Sequence, residues 1–168
     1  MEFKKIGKDI KIYEYAKIIK PEVIEIGDFS QIDDFTFIYG GKGITIGRYV
    51  HIASFVSIIG GGKFFIGDYG AIAAGARIVT GTNTYEGGYH MSAAAPIEQQ
   101  NLKISYVRIE KDGFIGTNAV VHPGVTIGEG AIIGSDSLVT KDVEPWTINV
   151  GSPTRIIGMR PKIKLEDI

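Results

Sequence analysis

The chain has 168 residues, a formal charge of −1, 44% apolar residues and no cysteine. That length suits one domain with enough apolar material for a core. Balanced charge speaks against a nucleic-acid or anionic-membrane partner, and the lack of cysteine excludes disulfides and thiolate metal sites. The polar start, Met1 to Lys8, does not read as a signal peptide, and no apolar run reaches membrane-spanning length, so a soluble cytoplasmic protein is expected.

From Ile6 the sequence repeats itself. Ile-Gly pairs stand at Ile6-Gly7, Ile26-Gly27, Ile46-Gly47 and Ile66-Gly67, 20 residues apart each time. Within the units, isoleucines recur at steps of six, six and eight: Ile6, Ile12, Ile18; Ile26, Ile32, Ile38; Ile46, Ile52, Ile58; Ile66, Ile72, Ile78. A fixed period of this size signals a solenoid, and the inner hexad signals a β-helix. One branched side chain every six residues points into a triangular coil, and stacked coils bury isoleucine on isoleucine. The glycine after each isoleucine suits a corner that bends tightly or needs positive φ. The two extra residues per unit, around Pro21-Glu22, Gly40–Gly43 and Gly60–Lys63, are expected to bulge at the third corner.

Residues 1–25 read as a first, less regular coil whose exposed lysines (Lys4, Lys5, Lys8, Lys11, Lys17 and Lys20) cover an open end. The second and third coils carry Phe29, Phe35, Phe37, Tyr49, Phe55, Phe64 and Phe65 beside the inward positions. So narrow a prism has little room for rings, so several of them are expected on an outer face, as an interface between copies of the chain. The repeat stops at Thr80. Residues 81–107 hold no hexad but several aromatics, amides and His90, which reads as an ejected functional loop. Hexads resume at Ile109, Ile115, Val121, Ile127, Ile133 and Val139 as two 18-residue coils, and Pro145 and Pro153 introduce a cap. The expected organisation is a single β-helix domain over 1–168: coils 1–80, loop 81–107, coils 108–143 and cap 144–168.

The run Ile109 to Arg160 resembles the hexapeptide-repeat acyltransferases, in particular the maltose and galactoside O-acetyltransferase group and its relatives acting on nucleotide-linked sugars. The matching phrases are Ile115-Gly116-Thr117, Pro123-Gly124-Val125-Thr126-Ile127-Gly128, Val139-Thr140-Lys141-Asp142-Val143 and Val150-Gly151-Ser152-Pro153-Thr154-Arg155. The resemblance implies an all-β, left-handed parallel β-helix, an exception to right-handed crossovers. It also implies a homotrimer with sites in the clefts between neighbours. The implied reaction moves an acetyl group from acetyl-CoA, a co-substrate lying along the C-terminal coils, to a hydroxyl or amine of a sugar or nucleotide-linked sugar.

Acyl transfer needs a base for the acceptor's proton and donors for the oxyanion. The family's base is a histidine, and the chain has three. His51, on a rigid coil, and His90, on the loop, are the candidates, while His122 reads as a surface or cleft-wall residue. Where the maltose-type enzymes place their histidine, counting from Ile78, this chain has Asn83, which cannot act as a base; an amine acceptor would need less assistance. Asn83 and Glu86 are then expected to bind the acceptor sugar. The resemblance assigns acetyl-CoA to Thr117, Ser135, Thr140, Lys141 and Arg155, the two cations holding phosphates. The second basic position of the family is Gly158 here, with Arg160 in its stead, and Trp146 either flanks the adenine or caps the last coil. Two other readings stand beside this one: a metal-dependent, carbonic anhydrase-like β-helix enzyme, and a non-catalytic β-helix scaffold.

Overall fold

The computed structural model describes residues 2–165, which wind into a three-sided, left-handed parallel β-helix. The first sheet stacks Lys5–Ile6, Ile24–Ile26, Ile44–Ile46, Lys63–Ile66, Tyr106–Ile109 and Val125–Ile127. The second stacks Lys11–Ile12, Gln31–Ile32, His51–Ile52, Ala71–Ile72, Phe114–Ile115, Ile132–Ile133 and Thr147–Val150, and ends on the antiparallel return strand Arg155–Met159. The third stacks Lys17–Ile19, Phe37–Tyr39, Ser57–Ile59, Arg77–Val79, Val120–Val121 and Leu138–Val139. Register is strict: on the second sheet Ile32, Ile52, Ile72, Ile115 and Ile133 follow one another rung by rung.

The hexad isoleucines from Ile26 to Ile133 are buried almost completely, each worth about 1.5–3 kcal/mol relative to exposure. Ile6 stays half-exposed because no coil lies beneath it. A second inward column accompanies the hexads. Strands of the first sheet are long enough that positions i and i+2 both face the axis, so Ile24, Ile44, Phe64, Val107 and Val125 are buried too. Phe64 thus departs from the expectation for its neighbours: its ring is in the core, while Phe29, Phe35, Phe37 and Phe55 are exposed.

The glycines after isoleucine act by close approach and not by positive φ. A Cβ on Gly27 would lie 2.6 Å from the carbonyl carbon of Gly47, and one on Gly47 would lie 2.5 Å from Asp68 Oδ1. The left-handed turn falls two residues later, on Phe29 (φ 63°), Tyr49 (56°) and Tyr69 (59°) at the edge between the first and second sheets. Phe35 (62°) and Phe55 (64°) take the same conformation at the edge between the second and third. A bulky residue pays about 1–3 kcal/mol for that region, and stacking offsets part of it. Phe29, Tyr49 and Tyr69 form a ladder with ring centroids 4.9 Å apart, and Tyr15, Phe35 and Phe55 form another at 5.5 and 5.2 Å.

The extra residues of the 20-residue units lie at the remaining edge, between the third and first sheets, where Pro21–Val23 forms a 3-10 turn. The long loop leaves and returns at this same edge. Its stem is an antiparallel ribbon of Gly81–Asn83 with Leu102–Ile104. Gly62 makes room for the returning chain: a Cβ there would meet Ser105 O at 2.1 Å.

Candidate active site

The loop is organised around one buried amide. Asn83 is 7% exposed; its Nδ2 donates to Met91 O (3.3 Å) and to Gln100 Oε1 (3.2 Å). Gln100 Nε2 in turn donates to Ala93 O at 3.3 Å and to Ala95 O. These acceptors fix the orientation of both amides and leave Asn83 Oδ1 buried with no donor. Glu86 pairs with Lys103 across the stem, both exposed. The backbone N–H of His90 donates to Gln99 O (3.0 Å), and the residue itself is exposed.

His51 stands on the second sheet, facing outward above Gln31 and below Ala71. Its Nε2 lies 2.9 Å from Asp33 Oδ2, and Gln31 Nε2 donates to Asp33 Oδ1 at 2.7 Å. An ionised carboxylate only accepts, so Nε2 carries the proton and Nδ1 presents a lone pair. The sequence did not single out Asp33; the signal was there, because Gln31, Asp33 and His51 fall together once a 20-residue coil period is imposed. The edge that bears the loop lies opposite the second sheet, so within one chain His51 and the loop residues are not brought together.

The residues assigned to the acyl donor flank the third sheet on its two edges. Thr117 and Ser135 are exposed, one coil apart, on the edge shared with the second sheet, and Asp136 N–H bonds Thr117 O (2.8 Å). The turn before exposed Arg155 stacks on the same edge: Leu138 N–H bonds Gly151 O (3.0 Å) and Thr154 N–H bonds Leu138 O (3.0 Å). Thr140 and Lys141 are exposed on the other edge, the one bearing the loop. His122, one coil above the loop's exit, lies between Val79 and Thr140 in that edge's column; its position beside the loop was not legible from its own hexad. Arg160 goes elsewhere. Its Nη1 donates to Asp112 O (2.7 Å) and Gly130 O (3.1 Å) at the edge between the first and second sheets, and its guanidinium lies over Trp146. Trp146 in turn covers Gly130, where a Cβ would meet the indole at 2.4 Å. The pair caps the last coil.

Exposed hydroxyls, open corners and cations on the C-terminal coils are a donor set suited to an acyl-CoA's amide-bearing arm and phosphates. Among the described residues no group of three or more His, Cys, Asp or Glu is arranged to hold a metal, and no helix is long and apolar enough to cross a membrane.

Known proteins share this fold. The family described as bacterial transferase hexapeptide (six repeats) matches residues 106–141. The dTDP-4-amino-4,6-dideoxy-D-glucose acyltransferase of Escherichia coli is 40% identical over 167 residues, 99% of this chain and 87% of that one. The chain belongs to the hexapeptide-repeat acyltransferases. Chloramphenicol acetyltransferase of Agrobacterium fabrum is 50% identical over 52 residues, 31% of this chain and 25% of that one. Among solved structures, AntD, an N-acyltransferase from Bacillus cereus in complex with dTDP and 3-hydroxybutyryl-CoA, superposes with a TM-score of 0.89 at 33% identity, covering 95% of this chain and 84% of AntD. A single-residue variant of AntD in complex with dTDP-4-amino-4,6-dideoxyglucose and coenzyme A gives 0.90 at 33%, covering 95% and 85%.

Proposed function

We propose that the protein is an N-acyltransferase that moves an acyl group from an acyl-CoA to the amino group of a dTDP-linked amino sugar. The observation that carries the reading is the whole-length match to an amino-sugar acyltransferase. Acyl-CoA lies along the C-terminal coils with its phosphates on Lys141 or Arg155 and its arm near Thr117, Ser135 and Thr140. The acceptor sugar lies under the loop, against Asn83, Glu86 and His90.

In the reaction the neutral amine attacks the thioester carbonyl, forming the C–N bond. Its excess proton passes to Nδ1 of His51, which Asp33 holds through Nε2. The C–S bond then breaks and the thiolate takes the proton from His51, leaving an amide and free CoA. Backbone N–H groups at the coil corners stabilise the developing oxyanion. Because His51 and the loop lie on opposite sides of one prism, this site needs two copies: His51 of one facing the loop of the next. A homotrimer with three such clefts satisfies that requirement and covers the exposed Tyr15, Phe35 and Phe55.

The test is CoA release with acetyl-CoA and longer acyl-CoAs against dTDP-linked amino sugars, the corresponding hydroxy sugars and free amino sugars. Turnover confined to the amino sugars is expected. Preference for a hydroxyl acceptor, or indifference to the nucleotide, rejects the reading.

A further inference from the structure

From Thr84 to Tyr106 no residue is buried, so the loop has no apolar core of its own. Tyr85, Tyr89, Met91 and Ile97 are all exposed. A segment this long without buried side chains keeps one shape only where hydrogen bonds offset the entropy of ordering it. Backbone bonds close its small turns, Gly88 N–H on Tyr85 O (3.0 Å) and Ala95 N–H on Ser92 O (3.2 Å), but these are local. The bonds that span the loop come from its returning limb.

Gln100 reaches furthest. Its Oε1 accepts from Asn83 at the loop's root (3.2 Å), and its Nε2 donates to Ala93 O (3.3 Å) and Ala95 O in the outer turn. Its backbone stands opposite His90 in a parallel bridge, beside the bond from His90 N–H to Gln99 O (3.0 Å). Asn83 closes the circuit by donating to Met91 O (3.3 Å), the residue after His90. One half-buried side chain thus ties the root, the outer turn and the strand pair that carries His90. The neighbouring Asn101 serves the other half of the loop: its Nδ2 donates to Glu86 O (3.2 Å), and its carbonyl accepts from Thr84 N–H (2.9 Å). Only an amide can do what Gln100 does, because a carboxylate has no hydrogen to donate and an ammonium has no lone pair to accept.

We infer that Gln100 is a positioning residue for the acceptor: it clasps the loop into one shape, so that His90 and the surface beneath the loop are in place before the sugar arrives. The inference rests on the amino-sugar reading above. Gln100 acts through the loop and not on the sugar, since its oxygen and its amide nitrogen are both engaged inside the loop.

The experiment compares the unaltered full chain with Gln100→Met and Gln100→Glu, by steady-state kinetics with a dTDP-linked amino sugar and acyl-CoA and by hydrogen exchange of the loop amides. Met keeps the length and bulk of the side chain without its bonds. Glu keeps an acceptor for Asn83 and loses both donated bonds. Thermal unfolding, governed by the stacked coils, checks that both variants fold. In both, exchange across the outer turn is expected to quicken about tenfold or more, kcat/KM for the acceptor to fall about 10- to 10²-fold, and the KM for acyl-CoA to stay within about twofold. Gln100→Met with native acceptor kinetics overturns the inference even where exchange quickens, because the clasp is then structural only. A kinetic loss without faster exchange also overturns it, since Gln100 would then act on the acceptor directly, and so does an equal loss toward acyl-CoA. If the unaltered protein turns over no amino sugar, the proposed reaction fails by itself, and calorimetric titration with the dTDP-linked amino sugar decides the clasp: weaker binding in both variants sustains it, and equal or absent binding overturns it.

Discussion

Replacing Asp33 by Asn isolates what the carboxylate does for His51. The substitution keeps the shape of the side chain and removes its charge. In the native arrangement Oδ2 accepts from His51 Nε2 at 2.9 Å and Oδ1 accepts from Gln31 at 2.7 Å. An amide cannot accept on both sides. If its NH₂ faces His51, Nε2 must become the acceptor, the proton moves to Nδ1, and the lone pair that takes the amine's proton is lost. If its oxygen faces His51, its NH₂ opposes Gln31 Nε2 until Gln31 turns its own amide over. A charge-assisted hydrogen bond is worth about 1.5–3 kcal/mol. With 49% of the His51 side chain and 22% of the Asp33 side chain exposed, solvent screening selects the lower end, about tenfold in kcat. His51→Ala removes the base itself, and the expected loss is about 10²- to 10⁴-fold in kcat. Steady-state kinetics with acyl-CoA and the amino-sugar acceptor measures both, and nitrogen chemical shifts of the imidazole report the tautomer directly. Two results refute the reasoning: His51→Ala with near-normal kcat, or Asp33→Asn with an unaltered tautomer and unaltered rate. If His90→Ala or His122→Ala is the near-dead variant, the base lies at the loop's edge.

The remaining predictions concern the donor, the assembly and the scaffold. Lys141→Ala and Arg155→Ala are each expected to raise the KM for acyl-CoA with kcat less affected, the pattern of lost uniform binding; unchanged KM in both removes these cations from the donor site. Light scattering at micromolar concentration is expected to return a trimer's mass, and a monomer's mass would end the two-copy site. Gly47→Ala places a Cβ 2.5 Å from Asp68 Oδ1 and 2.7 Å from Asp68 N, so a loss of about 1–3 kcal/mol is expected in denaturant unfolding.

The sequence by itself determined the β-helix, its three-fold corner rhythm and the point where the loop is ejected. These follow from single residues recurring at fixed intervals, and in a solenoid each coil meets only its neighbours, so a one-dimensional pattern suffices. It also carried the family, through the phrases around Thr140-Lys141 and Pro153-Thr154-Arg155. What it did not carry were contacts between coils away from the hexad axis. Phe64 is inward because the strands of the first sheet are one residue pair longer than a hexad shows. Positive φ went to Phe29, Tyr49 and Tyr69 and not to the glycines that follow isoleucine, because stacked coils need the missing Cβ there for close approach. Asp33 reaches His51, and Arg160 closes on Asp112 and Gly130, only after the chain has wound by one coil or more. The ejection point after Ile78 already put the loop at the third corner; tertiary structure alone decided that this corner lies opposite the sheet bearing His51, so that His51 and Asn83 face opposite ways. That separation depends on how three sheets close into a prism, and no local spacing encodes it.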